Sequence, residues 1–309
     1  MAVISTNRHH RVHRRPFQWF PYLLVAPLLL WIAGTVAYPL LTAVGLSFTN
    51  TGVVGTDGSF VGLANYKKVL LSGPFWASAW ISLKWVLLNG VLQTGLALAS
   101  AVLLSRGFRG HKAARTWLIA PWVIPTAAVA VIWGWMLSGT LGVVNYLLTA
   151  VHLIEKPLNF LGMTSTALPT AAFINTWHWF PFMAVVLLAG IQGIPAEIYE
   201  ASAVDGANGM QQFIHITLPS LRPVVSAMGL VGTLWSFNVF DIVYLLTKGG
   251  PSGATRTLPV YIYEKGFKAF AIGEAAAASV VTALFLLTFA LWYLRSESRQ
   301  APSERRDTA

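Results

Sequence analysis

Residues 194–219 read IPAEIYEASAVDGANGMQQFIHITLP, and this polar stretch lies between two apolar runs, residues 168–190 (LPTAAFINTWHWFPFMAVVLLAG) and residues 223–247. Each flanking run is long enough to cross a hydrocarbon core of about 30 Å at about 1.5 Å per residue. In lipid the backbone must satisfy its own hydrogen bonds, so both runs are read as helices. Between them, Pro195 suits the first turn of a short helix, and Glu197 sits where the helix dipole favours negative charge. Gly206 ends that helix. Asn208 caps a second short helix, and Pro219 is read as its end. Met210, Phe213 and Ile214 fall at helical spacing and form one apolar patch. The stretch predicts two short helices at an angle, in water, with an apolar face that suits docking to another protein. An interfacial helix resting on lipid headgroups is the other reading.

Working outward, the same test finds six apolar segments: Trp19–Leu46, Trp85–Ser105, Thr116–Leu137, Leu168–Gly190, Pro223–Thr247 and Ala275–Leu294. Phe75–Leu83 reads as an interfacial lead-in to the second. The expected fold class is therefore all-α: a polytopic membrane protein with about six transmembrane helices. Its expected divisions are a basic tail over 1–18, a membrane domain over 19–294 and a polar, disordered tail over 295–309. The run from Trp19 is too long for the core of a signal peptide, about 7–15 residues, and reads as an uncleaved first span. Prolines at 27, 39, 121, 125 and 181 mark positions where these spans are expected to kink.

Composition agrees. Only 10% of the residues are charged, against about 25% in soluble domains, too few to cover a soluble body of 309 residues. The net charge of +10 is clustered: Arg8, Arg11, Arg14 and Arg15, then Arg106, Arg109, Lys112 and Arg115, then Arg295, Arg299, Arg305 and Arg306. These clusters border apolar runs, the placement produced by the positive-inside bias rather than by a nucleic-acid surface. With both termini cytosolic, 13 Lys and Arg fall inside and 7 outside, and Lys84, at the border of the second segment, makes up the 21. Trp19, Phe20 and Tyr22 at the start and Trp292 and Tyr293 at the end suit headgroup anchoring. The absence of cysteine excludes disulfides, thiolate metal sites and cysteine nucleophiles. No phosphate-binding loop is present, since Gly107–Lys112 has the wrong spacing, and no cofactor motif or metal cluster is read from the chain.

Within the polar stretch, Glu200-Ala201-Ser202, Asp205-Gly206-Ala207 and Ile216-Thr217-Leu218-Pro219 resemble the EAA loop of bacterial ABC importer permeases. That pattern is Glu-Ala-Ala, a glycine four residues after the last alanine, then Ile-x-Leu-Pro. Ser202 is the one departure, small for small. Phe60–Tyr66 (FVGLANY) and the Leu246–Pro251 segment (LTKGGP) are similar to the MalF-type, carbohydrate-uptake branch of binding-protein-dependent permeases. The resemblance covers about Pro21–Leu294. It implies the type I ABC importer permease fold in a bacterial inner membrane, with residues 195–219 as the element that couples to a separate ATPase subunit dimer. It also implies a second, MalG-type permease as heterodimer partner, an extracytoplasmic solute-binding protein and a sugar or sugar-like solute.

For the solute path, polar groups inside spans are the candidates. Trp235, Asn238 and Asp241 are three residues apart and are expected on one side of the fifth span. Asn175 and Trp177, beside His178, lie at similar depth in the fourth. Aromatic faces with amide and carboxylate groups suit a sugar, while helix–helix hydrogen bonding is the plainer role. Lys84 and Glu274 are read as snorkelling at outer borders. An ion-coupled secondary transporter using Asp241 and Glu274 leaves the EAA-type loop unexplained. A membrane enzyme lacks the clustered acids or histidines it would need.

Overall fold

The computed structural model describes residues 20–53, 55–56 and 58–300. Trp19, the cluster Arg8–Arg15, Arg305 and Arg306 lie outside the described residues, as do most of the two expected tails.

Among the described residues every regular element is a helix, apart from one isolated bridge between Thr49 and Phe60. In chain order these are α1 (Phe20–Ile32), α2 (Tyr38–Ser47), α3 (Ala64–Leu70), α4 (Gly73–Ser105), α5 (His111–Val123), α6 (Thr126–Met136) and α7 (Val143–Ala150). They continue as α8 (Ala167–Gln192), α9 (Ala196–Val204), α10 (Gly209–Gln212), α11 (Leu218–Phe237), α12 (Asp241–Thr247), α13 (Leu258–Tyr263) and α14 (Ile272–Gln300). Five helical stretches are long and apolar enough to cross a membrane: Leu23–Ser47, Gly73–Ser105, Ala167–Gln192, Gly209–Phe237 and Ile272–Ser298. The pair α5–α6 raises the number to six if it counts as one bent span.

Several boundaries depart from the sequence reading, each for a local reason. Phe75–Leu83 is not a separate interfacial piece. Ser72 caps α4, its hydroxyl accepting from the Phe75 N–H at 3.4 Å, Pro74 occupies the first turn, and the helix runs unbroken to Ser105. The third segment is broken at Ile124–Pro125, where α5 and α6 meet at 93°. Proline disfavours helical backbone in the residue before it, and Ile124 is extended at ψ 130°. The fifth segment stops at Phe237 rather than running to Thr247. The sixth continues past Leu294 as helix to Gln300, so the start of the expected disordered tail is helical.

Pro219 does not end the elbow's second helix. A π-helical turn at Phe213–Thr217 precedes it, and the Leu218 N–H donates to the carbonyl of Phe213, five residues back. The wider turn relieves the clash that a proline makes with the carbonyl four residues earlier. Pro39 is handled in the same register: a π turn at Ala33–Ala37 and a Tyr38 N–H donating to Ala33. Leu23–Ser47 and Gly209–Phe237 therefore each run through as one helical stretch.

The core is built on α4 against α8. Ala97, Ala101, Ala171, Ala172 and Ala184 are all buried along these helices, and small residues let membrane helices approach closely. Toward one end Trp85, Ile174, Val129, Ile242 and Val260 form a cluster that brings in α6, α12 and α13. Toward the other, Leu104, Leu187, Ile191 and Leu221 join α11. Here Gly190 packs closely on α11: a Cβ would lie 2.8 Å from Leu221 Cδ2, so the leucine side chain would have to shift to admit it.

The loops sort to two ends. At one, Asn65 of the FVGLANY segment donates to the carbonyls of Ser47 (2.9 Å) and Thr49 (2.7 Å), closing the end of α2. The Gly273 N–H donates to Thr51 O at 3.0 Å. Glu274 pairs with Lys68 (3.0 Å) and Lys265 (3.2 Å), so that carboxylate is held by cations rather than left to snorkel. The Gly249-Gly250-Pro251 turn, with Gly249 at φ +83°, packs against α13, where a Cβ on Gly249 would lie 2.9 Å from Val260 Cγ1. At the other end the 106–111 loop meets the elbow: a Cβ on Gly209 would lie 3.7 Å from Arg106 Nη2.

Candidate functional site: an elbow and a cavity joined by one helix

The elbow forms as its residues demand. Pro195 precedes α9 and Glu197 lies in its first turn. At the far end Gly206 takes φ +84°. The Gly206 N–H donates to Ala203 O (3.1 Å) and the Ala207 N–H to Ser202 O (2.9 Å), the two bonds of a Schellman cap. Asn208 then opens α10 with a capping box. Its Oδ1 accepts from the Met210 and Gln211 N–H groups at 3.1 and 3.0 Å, while Gln211 Oε1 accepts from the Asn208 N–H at 2.8 Å.

Cross-links hold the two arms at a fixed angle. Gln212 Nε2 donates to Ser202 Oγ (3.0 Å) and to Tyr199 O (3.2 Å). The Tyr199 and Thr217 hydroxyls are 2.9 Å apart. Ser202, the departure from the Glu-Ala-Ala pattern, thus ties one arm to the other. Glu200, Ala201, Asp205 and Gly206 are exposed, Ser202 and Ile216 are half-buried, and Leu218 and Pro219 are exposed. Met210 and Ile214 are exposed, with Phe213 half-buried beside them. Val204, 89% exposed, adds an apolar side chain that the periodicity of the second arm alone could not include.

From Gly209 the helix continues for 29 residues to Phe237. There it breaks: Asn238 leaves helical geometry, its Nδ2 donating to Leu234 O at 2.8 Å, and Asp241 starts α12. Around this break lies a cavity of about 650 Å³. Trp235, Asn238 and Asp241 all line it, although they sit on two helices and a break rather than on one helical face. Asn175 lines it from α8. Trp177 does not: two residues along a helix is about 200° of rotation, and its ring packs on Trp133 with centroids 5.5 Å apart. The helical face that carries Asn175 carries Trp179, Phe182 and Met183 instead. Trp179 and Phe182 lie 6.3 and 6.5 Å from Trp235, giving the wall an aromatic corner.

Polar groups complete the wall. Asn175 Nδ2 donates to Asn89 Oδ1 at 2.7 Å, and Gln93 Nε2 reaches the same oxygen at 3.2 Å. Asn175 Oδ1 and Ser236 Oγ are buried without a hydrogen-bond partner. His178 serves the fold instead. Its Nε2 lies 3.0 Å from the Ile124 carbonyl freed at the α5–α6 break. A carbonyl only accepts, so Nε2 carries the proton. Among the described residues no group of acids and histidines could hold a metal ion.

A family profile described as the binding-protein-dependent transport system inner membrane component matches residues 93–301. The chain belongs to this family of ABC-transporter permeases. The permease is 32% identical over 274 residues to the trehalose/maltose transport system permease protein MalF of Thermococcus litoralis, covering 89% of this chain and 92% of the relative. It is 34% identical to the inner membrane ABC transporter permease protein YcjO of Escherichia coli, over 88% and 91% of the two chains. It is 30% identical to the sn-glycerol-3-phosphate transport system permease protein UgpA of Agrobacterium fabrum, over 91% and 95%. In fold, the permease is similar to a chain of a bacterial alginate ABC transporter, crystallised in complex with alginate pentasaccharide-bound periplasmic protein. The TM-score is 0.82 at 23% identity, over 92% of this chain and 96% of the other. The permease is thus a multi-pass inner-membrane protein with an importer-permease fold.

Proposed function

We propose that the permease is the translocation subunit of an ATP-driven importer for a sugar or sugar-like solute. It pairs with a second, MalG-type permease and receives solute from an extracytoplasmic solute-binding protein. Both termini and residues 195–219 face the cytosol, where the elbow docks on a separate ATPase subunit dimer. ATP hydrolysis is the partner's work.

The observation that carries this reading is the unbroken helix from the capped elbow to the cavity wall. A rod of 29 residues spans about 43 Å, so displacement of Met210 and Ile214 at one end moves Trp235 at the other. Alternating access needs that linkage. Closure of the ATPase dimer pushes the elbow, and the rod shifts the cavity wall to open the path outward. The wall chemistry, with aromatic faces, amides, one carboxylate and unpartnered acceptors, suits a hydroxyl-rich solute. The names of the relatives, trehalose/maltose and glycerol phosphate among them, point to the same class.

The test is Gly206→Pro. Proline's φ near −65° cannot reproduce φ +84°, so the variant should reach the membrane yet lose ATP-driven uptake. Full uptake by this variant would overturn the coupling role. Uptake should also stop when the ATPase subunit is lost and survive an ionophore. The opposite pattern would favour an ion-coupled carrier. For the cavity, Asp241→Ala should raise the apparent KM for solute about tenfold, the worth of a charge-assisted hydrogen bond. Subunit composition of the purified complex should be unchanged. An unaltered KM would remove Asp241 from the path.

A further inference from the structure

A second cavity, of about 870 Å³, lies on the other side of α4, between its N-terminal half and the start of α8. Lys84 is the one charged side chain on its wall, with the hydroxyls of Thr164 and Ser165 nearby and Leu87 and Val91 further along α4. The three polar residues thus lie toward the starts of α4 and α8, among Trp80, Ile81 and Pro169, while beyond Lys84 the α4 wall is wholly apolar.

At this end of the molecule some cations are paired with carboxylates, while among the described residues Lys67, Lys156 and Lys248 are not. Lys68 and Lys265 share Glu274, and Arg256 and Lys268 share Glu264. Among the described residues no carboxylate pairs with Lys84, and its contact is the Trp80 ring, 5.4 Å from Nζ. It also lies at a border. α4 has 33 residues, about 50 Å against a core of about 30 Å, and Lys84 immediately precedes the apolar run Trp85–Ser105. An ammonium on a four-carbon stem at that border reaches the phosphate level, where an anion would pair with it.

We propose that this groove holds one anionic phospholipid. Its phosphate sits between the Lys84 ammonium and the Thr164 and Ser165 hydroxyls, and an acyl chain lies along Leu87 and Val91. The Lys84 ammonium and the two hydroxyls are all donors, which suits a phosphate, and the wall beyond Lys84, Leu87, Leu88, Val91 and Leu92, suits an acyl chain. The inference requires only that the chain crosses a membrane, so it stands apart from the importer reading.

The experiment is native mass spectrometry of the full-length chain in detergent. The chain is titrated with phosphatidylglycerol and, separately, with phosphatidylcholine of the same acyl chains. Wild type should retain one phosphatidylglycerol about tenfold more tightly than Lys84→Met, the loss of one charge-assisted contact. Lys84→Arg should stay within about twofold of wild type, since the charge is kept. Thr164→Ala with Ser165→Ala should be weakened in the same direction, and Lys67→Met should match wild type. Equal retention by wild type and Lys84→Met, or equal retention of the two lipids, would overturn the proposal. So would high-yield crosslinking of Leu87→Cys to another protein chain in membranes.

Discussion

Gly206 has φ +84° and no atom within 4 Å of where a Cβ would sit, so glycine is needed there for backbone handedness and not for room. An L-residue in that conformation costs about 1–2 kcal/mol. Gly206→Ala should therefore fold, insert and keep partial uptake where Gly206→Pro keeps none, and a transport assay on the two variants together checks the ranking. Ser202 gives a finer test. Ser202→Ala restores the Glu-Ala-Ala pattern and removes one of the two acceptors of Gln212. A bond worth about 0.5–1.5 kcal/mol corresponds to amide exchange at residues 209–212 about two- to tenfold faster, with uptake retained. Unchanged exchange would mean that Tyr199 alone sets the angle. At this scale the caps were legible, because Pro195, Gly206 and Asn208 act through their own backbone preferences. Trp177 lies off the cavity wall and Trp179 on it, because residues at one depth face different ways around the helix. Counting from Asn175 in steps of three and four reaches Trp179, Phe182 and Met183. Ser236 and Gln93 carried no sequence signal, since a hydroxyl or amide in a span looks the same at a cavity wall as between helices.

The prolines show what decides whether an element bends. Pro27, Pro121, Pro181 and Pro223 remain inside helices, Pro39 and Pro219 follow π turns, and Pro125 ends α5 at a 93° corner. All of these residues are visible in the sequence, but their outcomes depend on where the freed carbonyls find donors. At the corner the donor is His178, more than fifty residues away, which is why a straight third span was the natural reading. The corner in turn sets α6 against α12, whose first residue is Asp241 at the cavity. A buried carbonyl left without its donor costs about 1–3 kcal/mol. His178→Phe should therefore lower the thermal unfolding midpoint of the solubilised chain and impair uptake. His178→Gln, which can still donate to Ile124 O, should recover part of both. Equal losses in the two variants would mean that ring packing against Trp179, and not the hydrogen bond, holds the corner.

Across the whole molecule, the loops assigned to opposite sides by counting Lys and Arg do gather at opposite ends of the bundle. The 48–71 and 248–271 segments meet around Thr51, Gly273 and Glu274, while the 106–111 loop meets the elbow at Arg106 and Gly209. Alternation of spans was legible because lipid leaves the backbone little choice but helix, and six apolar runs can only alternate. Which end is cytosolic is a separate question, since geometry alone is unchanged when the bundle is inverted, and the importer mechanism depends on the answer. The chain has no cysteine, so single cysteines can be read against a silent background. Val204 at the elbow is 89% exposed and Leu71 at the opposite end is 75% exposed. In intact cells stripped of any outer barrier, a membrane-impermeant maleimide should label Leu71→Cys and leave Val204→Cys untouched until the membrane is permeabilised. The positive-inside bias, 13 against 7, predicts that order. If Val204→Cys were the one labelled from outside, the elbow could not meet a cytosolic ATPase, and the rod from Gly209 to Phe237 would have to transmit a signal from the external face instead.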